Sequence, residues 1–243
     1  MYRLKIIVEG ERACFTRPEF KVERFSYDVP TPGALEGLLK SVHWKPAIRY
    51  HIDKIVVFNP IEFASVRRNE VKTKVLQSKI KAKMEDPEKD ICVYTCDNDI
   101  RSQRTTTILK NVRYGIEFHF DLTGLQSDRE TNGEIKHYSI LKRRLEKGQS
   151  FRTPCLGCSE FPVKSIRLVD EFDENEISPE IKRMGDVDLG YMLYHLEFED
   201  KGVPINGDWD YPIFSDKADA VYYRPHMING IIDVSKYKED IKC

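Results

Sequence analysis

The chain has 243 residues, 40% hydrophobic and 11% aromatic, enough apolar mass for a substantial core without disulfides or metals. Its formal net charge is −1, so overall charge by itself points to no polyanionic partner. The opening Met1-Tyr2-Arg3-Leu4-Lys5-Ile6 lacks a signal-peptide core, and no apolar run approaches a membrane span; a cytoplasmic protein with no membrane partner is expected.

Residues 2–9 alternate apolar and polar side chains before Ile6-Ile7-Val8, which predicts an opening strand. A loop with Pro18 leads into an extended segment over 20–29, carrying Phe20, Val22, Phe25 and Tyr27. Thr31-Pro32 reads as an N-cap followed by proline in the first helical position. Ala34, Leu35, Leu38, Leu39 and Val42 then share one helical face, and Trp44-Lys45-Pro46 stops the helix. A strand is predicted over 49–58, ended by Pro60, and residues 59–113 read as a basic hairpin or loop insertion with a turn at Glu85-Asp86-Pro87-Glu88. Over 114–122 the alternation is clean: Tyr114, Ile116, Phe118, Phe120 and Leu122 on one side, Gly115, Glu117, His119 and Asp121 on the other. Thr131 to Glu134 forms a capping box, Ile135, Tyr138, Leu141 and Leu145 follow at helical spacing, and Gly148 closes the helix. A last strand is expected over 161–169.

That order is the α+β, ferredoxin-like (RRM-like) βαββαβ arrangement. It predicts a domain over residues 1–170 with the 59–113 insertion, and a small C-terminal antiparallel β subdomain over 171–243, where Tyr, Phe and Leu mix with Gly, Pro and Asp turns.

Charge is unevenly spread. Residues 67–83 hold seven basic side chains against Glu70, and residues 101–113 add Arg101, Arg104, Lys110 and Arg113 with no acid. One face can therefore meet a polyanion, although solvated surface loops give the same pattern. Cys155-Leu-Gly-Cys158 has zinc-knuckle spacing that Cys92 and Cys96 can complete, but the pairs are far apart in the chain; no metal or other cofactor is expected.

Lys136-His137, at the start of the second helix, is the sharpest chemical feature. Helix N-termini attract anions, an imidazole moves protons near neutrality, and an ammonium group stabilises extra charge on phosphorus. RNA carries its own 2′-hydroxyl nucleophile, so a base, an acid and a charge stabiliser suffice without a metal. A solvated Lys-His pair explains the same residues. His43, at the end of the first helix, is the second candidate, and Trp44 beside it can stack on a base or belong to the core. His51, His195 and His226 have no sequence neighbours that make a ligand set, while His119 falls on the polar side of its strand, expected to be an open sheet surface.

Several segments together resemble the Cas-five proteins of type I-C CRISPR systems, within the repeat-associated RNA-binding superfamily. They are the run from Phe15 through Tyr27-Asp-Val-Pro-Thr-Pro32, His43-Trp-Lys-Pro-Ala-Ile-Arg, Ile55-Val-Val-Phe-Asn-Pro-Ile, Gly133-Glu-Ile-Lys-His-Tyr-Ser-Ile-Leu-Lys-Arg-Arg and Cys155-Leu-Gly-Cys-Ser-Glu-Phe. The resemblance implies a metal-independent endoribonuclease that cleaves precursor CRISPR RNA at the base of the repeat hairpin, leaving a 2′,3′-cyclic phosphate. It then stays on the 5′ handle with the backbone, large and small subunits of the effector. The family's Lys-His pair falls on Lys136 and His137; its third catalytic residue is usually tyrosine where this chain has His43. Cys155 and Cys158 stand where typical relatives lack cysteine, against a required metal. Arg67, Arg68, Lys72, Lys74, Arg101 and Arg104 are the expected RNA-backbone contacts, with Trp44 and Lys45 beside the site. The alternatives are a catalytically silent RNA-binding cap of the same complex, a metal-dependent DNA nuclease, and a generic RRM-like binder, for which an aromatic-rich RNP strand is lacking.

Overall fold

A computed structural model describes residues 2–20, 22–124 and 133–237. Its backbone is an antiparallel sheet in the order β5 (Ser165–Val169), β1 (Arg3–Ala13), β4 (Arg101–Leu122), β2 (Ile48–Val57), β10 (Ile231–Asp233), β9 (His226–Ile228), β6 (Asp186–Asp188), with β3 (Glu62–Val71) pairing β4 off that path. The centre is β1 (Arg3–Ala13), β2 (Ile48–Val57), β4 (Arg101–Leu122) and β5 (Ser165–Val169), in which every neighbouring pair runs antiparallel. Ile6, Ile52, Ile55, Ile116 and Phe118 are fully buried here, because alternate residues of each strand turn to the core.

Helix α1 (Pro32–Val42) starts as its sequence predicts. Thr31 Oγ1 accepts from the Ala34 backbone N–H at 3.3 Å and Pro32 enters the first turn, while Leu35, Leu38, Leu39 and Val42 are buried. Helix α3 (Gly133–Lys147) buries His137, Leu141 and Leu145, a stripe at intervals of four. Ile135, expected on that stripe, is instead 51% exposed. Gly148 takes a left-handed φ of 63° that permits the helix stop, and Gln149 N–H returns to the Arg144 carbonyl at 2.8 Å. The expected cap residues Thr131 and Asn132 lie outside the described residues.

Strand β4 is much longer than the predicted 114–122. Its first half pairs with β3 (Glu62–Val71) in unbroken register from Glu62↔Lys110 to Val71↔Arg101, and α2 (Gln77–Glu85) lies in the connection. The basic segment is thus a strand arm continuous with the sheet, and Ile108, Leu109 and Val112 within it belong to the core. Alternating Thr side chains at 105 and 107 suit such a ladder, a signal that the basic residues obscured. The last predicted strand starts at Ser165 rather than 161, because Val163 N–H bonds back to the Pro154 carbonyl.

After β5 come α4 (Pro179–Arg183), β6 (Asp186–Asp188), β7 (Met192–Phe198), β8 (Ala218–Tyr223), β9 (His226–Ile228) and β10 (Ile231–Asp233). β7 and β8 make a separate two-stranded sheet, whereas β10 adds to β2 and extends the main sheet. Ile181, Met192, Tyr223 and Ile232 join the same hydrophobic cluster as the central strands, so the C-terminal segment shares one core with the rest. Among the described residues, no helix is long and apolar enough to cross a membrane.

Candidate active site

The C-terminal end of α1 and the body of α3 meet edge to edge. The last carbonyls of a helix lack intrahelical donors and carry partial negative charge, so cations and N–H groups gather there. Here Arg144 of α3 donates to the Val42 carbonyl at 2.6 Å, and the backbone N–H groups of Phe151 and Arg152 both donate to the Ser41 carbonyl. This docking carries His43, the C-cap of α1, onto His137 of α3: His43 Nε2 lies 3.0 Å from His137 Nδ1. One of the two nitrogens donates and the other accepts. Tyr50, from β2, donates its hydroxyl to the His43 carbonyl at 2.6 Å and holds the turn in place.

Both rings are buried, His43 at 3% and His137 at 4% exposure. For His137 this corrects the expectation of an open imidazole at a helix start: it shares the inward stripe of Leu141 and Leu145. Burial first, then electrostatic repulsion from His137, Arg144 and Lys45, lowers the His43 pKa from 6.5 to about 4. At neutral pH His43 is therefore an uncharged imidazole able to accept a proton. Lys136 is exposed, since successive helical residues point about 100° apart and an inward His137 turns its neighbour outward.

A cavity of about 740 Å³ opens beside the pair, bounded by His43, Trp44, Lys45, Arg143, Arg144 and Arg152. His137 stands behind His43 rather than on this wall. Trp44 is 47% and Phe151 75% exposed at the rim, and the Arg152 guanidinium sits 5.9 Å from the Phe151 ring centre. Cations and open aromatic faces are what a single-stranded RNA segment needs for its phosphates and bases. Arg143, Arg144, Phe151 and Arg152 were not singled out from sequence. Arg143 and Arg144 sit in an ordinary-looking charged helix, and only the docking of α3 on α1 gives them a common wall with Lys45.

The arm residues divide by face. Arg67, Lys72, Lys74 and Arg101 are exposed. Arg68 is instead bonded to Glu160 at 2.5 Å and Glu70 at 3.2 Å, and Arg104 to Glu70 at 3.4 Å, so their charge is already answered within the chain. Arg113 likewise pairs with Glu9 and Glu176 over the face of Phe58.

Of the other candidates, Cys92 and Cys96 are exposed on the arm, while Cys158 lies by Cys14 and Thr16 at the end of β1. Among the described residues the cysteines form no metal-ligating group. His119 is not on an open surface: it is 3% exposed and bonded to Asp53 at 2.7 Å. His51, which looked isolated in sequence, stacks on His119 with ring centres 5.0 Å apart.

The family model described as CRISPR-associated protein (Cas_Cas5), of the Cas5d type, matches residues 3–235. A Mannheimia succiniciproducens protein named CRISPR pre-crRNA endoribonuclease Cas5d is 41% identical over 242 residues, covering 99% of this chain and 98% of that one. A Thermus thermophilus protein of the same name is 39% identical over 205 residues, 84% of this chain and 78% of that one. Among solved structures, a functionally uncharacterized Streptococcus mutans protein superposes with a TM-score of 0.60 at 21% identity, covering 95% of this chain and 91% of that one. A CRISPR-associated protein gives 0.55 at 24% identity, with 96% and 93% covered. At those identities the two structures bear on the fold alone, a large antiparallel sheet with a few helices.

Proposed function

The chain belongs to the Cas5d family of CRISPR-associated proteins, and we propose that it is a precursor-CRISPR-RNA endoribonuclease acting at the His43–His137 pair. The observation that carries the site is that pair of imidazoles behind a wall of Lys45, Arg143, Arg144 and Arg152. The cations hold the phosphates, and Trp44 and Phe151 offer faces for unstacked bases next to the cut. Neutral His43 takes the proton of the 2′-hydroxyl as that oxygen attacks phosphorus. His137, bonded to it from behind, shares the charge of the proton, and His43 on the cavity wall returns that proton to the leaving 5′-oxygen as the 2′,3′-cyclic phosphate forms. Lys136 meets the growing negative charge from the outer face of α3. The chemistry needs no metal because the nucleophile belongs to the RNA.

After cutting, the protein keeps the 5′ handle and joins the backbone, large and small subunits of the type I-C effector. The exposed arm cations Arg67, Lys72, Lys74 and Arg101 run along RNA backbone outside the cleavage site. The β5-β1-β4-β2 centre with α1 and α3 supports a ferredoxin-like reading of residues 1–170, with β3 and β4 drawn out into the 59–113 arm and residues 171–243 as an appended β segment.

A second reading, a catalytically silent cap that binds the same RNA, draws on the 3% and 4% exposure of the two rings. Repeat RNA mixed with the purified chain in excess chelator separates the two. Cleavage by wild type and none by His137→Ala supports the nuclease; intact RNA bound tightly by both supports the cap.

A further inference from the structure

On the face of the central sheet opposite Phe118 and Phe120, β2 and β4 assemble a second group of titratable side chains. The register sets His51 of β2 directly across from His119 of β4, and Asp121 two residues along β4 points to the same side. One ligand atom from each of His51, His119 and Asp121 lies within 4.8 Å of the other two. His51 Nε2 is 3.4 Å from Asp121 Oδ2. Ligands held at about 2.0–2.1 Å around a tetrahedral ion sit about 3.3 Å apart, so that edge of the site is already at bonding span.

The backbone adds a second, independent feature. The β2–β4 register shifts between Ile52 and Lys54, so Asp53 is an extra residue and its side chain is re-aimed. Asp53 Oδ2 accepts the His119 Nδ1–H at 2.7 Å, with both side chains almost wholly buried. That hydrogen bond fixes the ring and its tautomer and leaves Nε2, with its lone pair, as the ligand atom. A carboxylate behind an imidazole in this way is the usual support of a metal-bound histidine, raising its basicity and holding its orientation. His51 and Asp121 remain partly exposed, with side-chain exposures of 28% and 58%, so an ion has a way in from solvent.

We propose that His51, His119 and Asp121 form a binding site for a divalent transition-metal ion of the Zn²⁺ class, with Asp53 as the residue that orients His119. Two imidazoles and one carboxylate suit zinc, cobalt or nickel; magnesium and calcium prefer all-oxygen shells. Three protein ligands leave a fourth position for water. The ion ties β2 to β4 across the middle of the sheet. The site shares no residue with the His43–His137 pair, and its existence does not depend on the cleavage reading.

The test uses Co²⁺ on chelator-treated full-length chain. Expected are visible d–d bands of tetrahedral nitrogen and oxygen ligation, saturating at one ion per chain, without the near-ultraviolet thiolate-to-cobalt band that ligation by Cys155 or Cys158 produces. His51→Ala and Asp121→Asn weaken cobalt binding at least about tenfold, and Asp53→Asn weakens it roughly 10–100-fold while keeping the band positions. The partly exposed side chains of His51 and Asp121 make these two variants the ones that stay folded, verified by circular dichroism. No d–d bands at saturating cobalt, bands of thiolate character, or affinity unchanged in both His51→Ala and Asp121→Asn would overturn the proposal.

Discussion

His43 and His137 stand 94 residues apart in the chain, yet their ring nitrogens approach to 3.0 Å because the end of α1 is docked on the body of α3. A contact that short suits a proton shuttle made of two imidazoles. It also makes the two residues a unit, so their substitutions are not additive.

The first expectation concerns those substitutions. In excess chelator, His137→Ala and His43→Ala each lower the single-turnover cleavage rate by about 10²–10⁴-fold, the usual weight of a positioned acid or base. The double variant loses little more than either single one. His43→Tyr preserves cutting; indifference to His43→Ala removes the residue from the site.

Lys136→Ala slows cleavage while leaving most RNA affinity, because its charge acts chiefly on the transition state. Its exposed place on α3 keeps the fold out of the measurement. Equal loss of binding and rate makes it a phosphate clamp only.

Acid sensitivity follows from His43. Its pKa is 6.5 in the unfolded chain and about 4 when folded, so between those values the unfolded chain takes up a proton that the folded one does not. Stability contributed by the neutral ring is therefore full above about pH 6.5 and is lost as the pH falls toward 4. Chemical denaturation of wild type and His43→Tyr across that window checks this: the variant has the shallower loss. An identical slope refutes it.

Affinity for repeat RNA falls steeply with salt. Arg143→Ala or Arg152→Ala removes about 0.7–0.9 from the slope of log affinity against log salt, one phosphate's worth. Arg68→Ala leaves the slope unchanged, since that guanidinium is already committed to Glu70 and Glu160. A flat profile in wild type rules out phosphate contacts as the main source of affinity.

Gly157 holds the loop against the end of β1 at a left-handed φ of 85°, and a Cβ there would stand 2.0 Å from the Cys14 carbonyl oxygen. Neither backbone atom can step aside. Gly157→Ala is expected to lower stability by more than about 1 kcal/mol in a thermal or urea melt. Gly37→Ala, whose Cβ meets nothing within 4 Å, serves as the control and leaves stability level or slightly raised.

Local chemistry was readable where it acts locally. Thr31-Pro32 opened α1, Gly148 closed α3, and the alternation of 114–122 marked the central strand, because caps and pleats depend on neighbours within a few positions. His137 shows the limit. Its spacing from Leu141 and Leu145 already placed it on the buried stripe of α3, but adjacency to Lys136 and the polar character of imidazole argued for an exposed face. The same limit left the arm open between hairpin and loop, and only the β3–β4 register showed that it is a hairpin in which Arg68 and Arg104 face Glu70 and Glu160 while Arg67 and Arg101 face solvent.

The amino-acid order by itself determined the start of α1, the end of α3, the pleat of 114–122 and the family resemblance carried by short motifs, all properties of residues close in the chain. Tertiary structure alone decided which distant side chains meet: His43 with His137, Arg144 with the end of α1, and His51 with His119 across the β2–β4 ladder. Such meetings depend on strand register and helix docking, where a shift of one residue turns every side chain to the opposite face, and no local pattern records that choice.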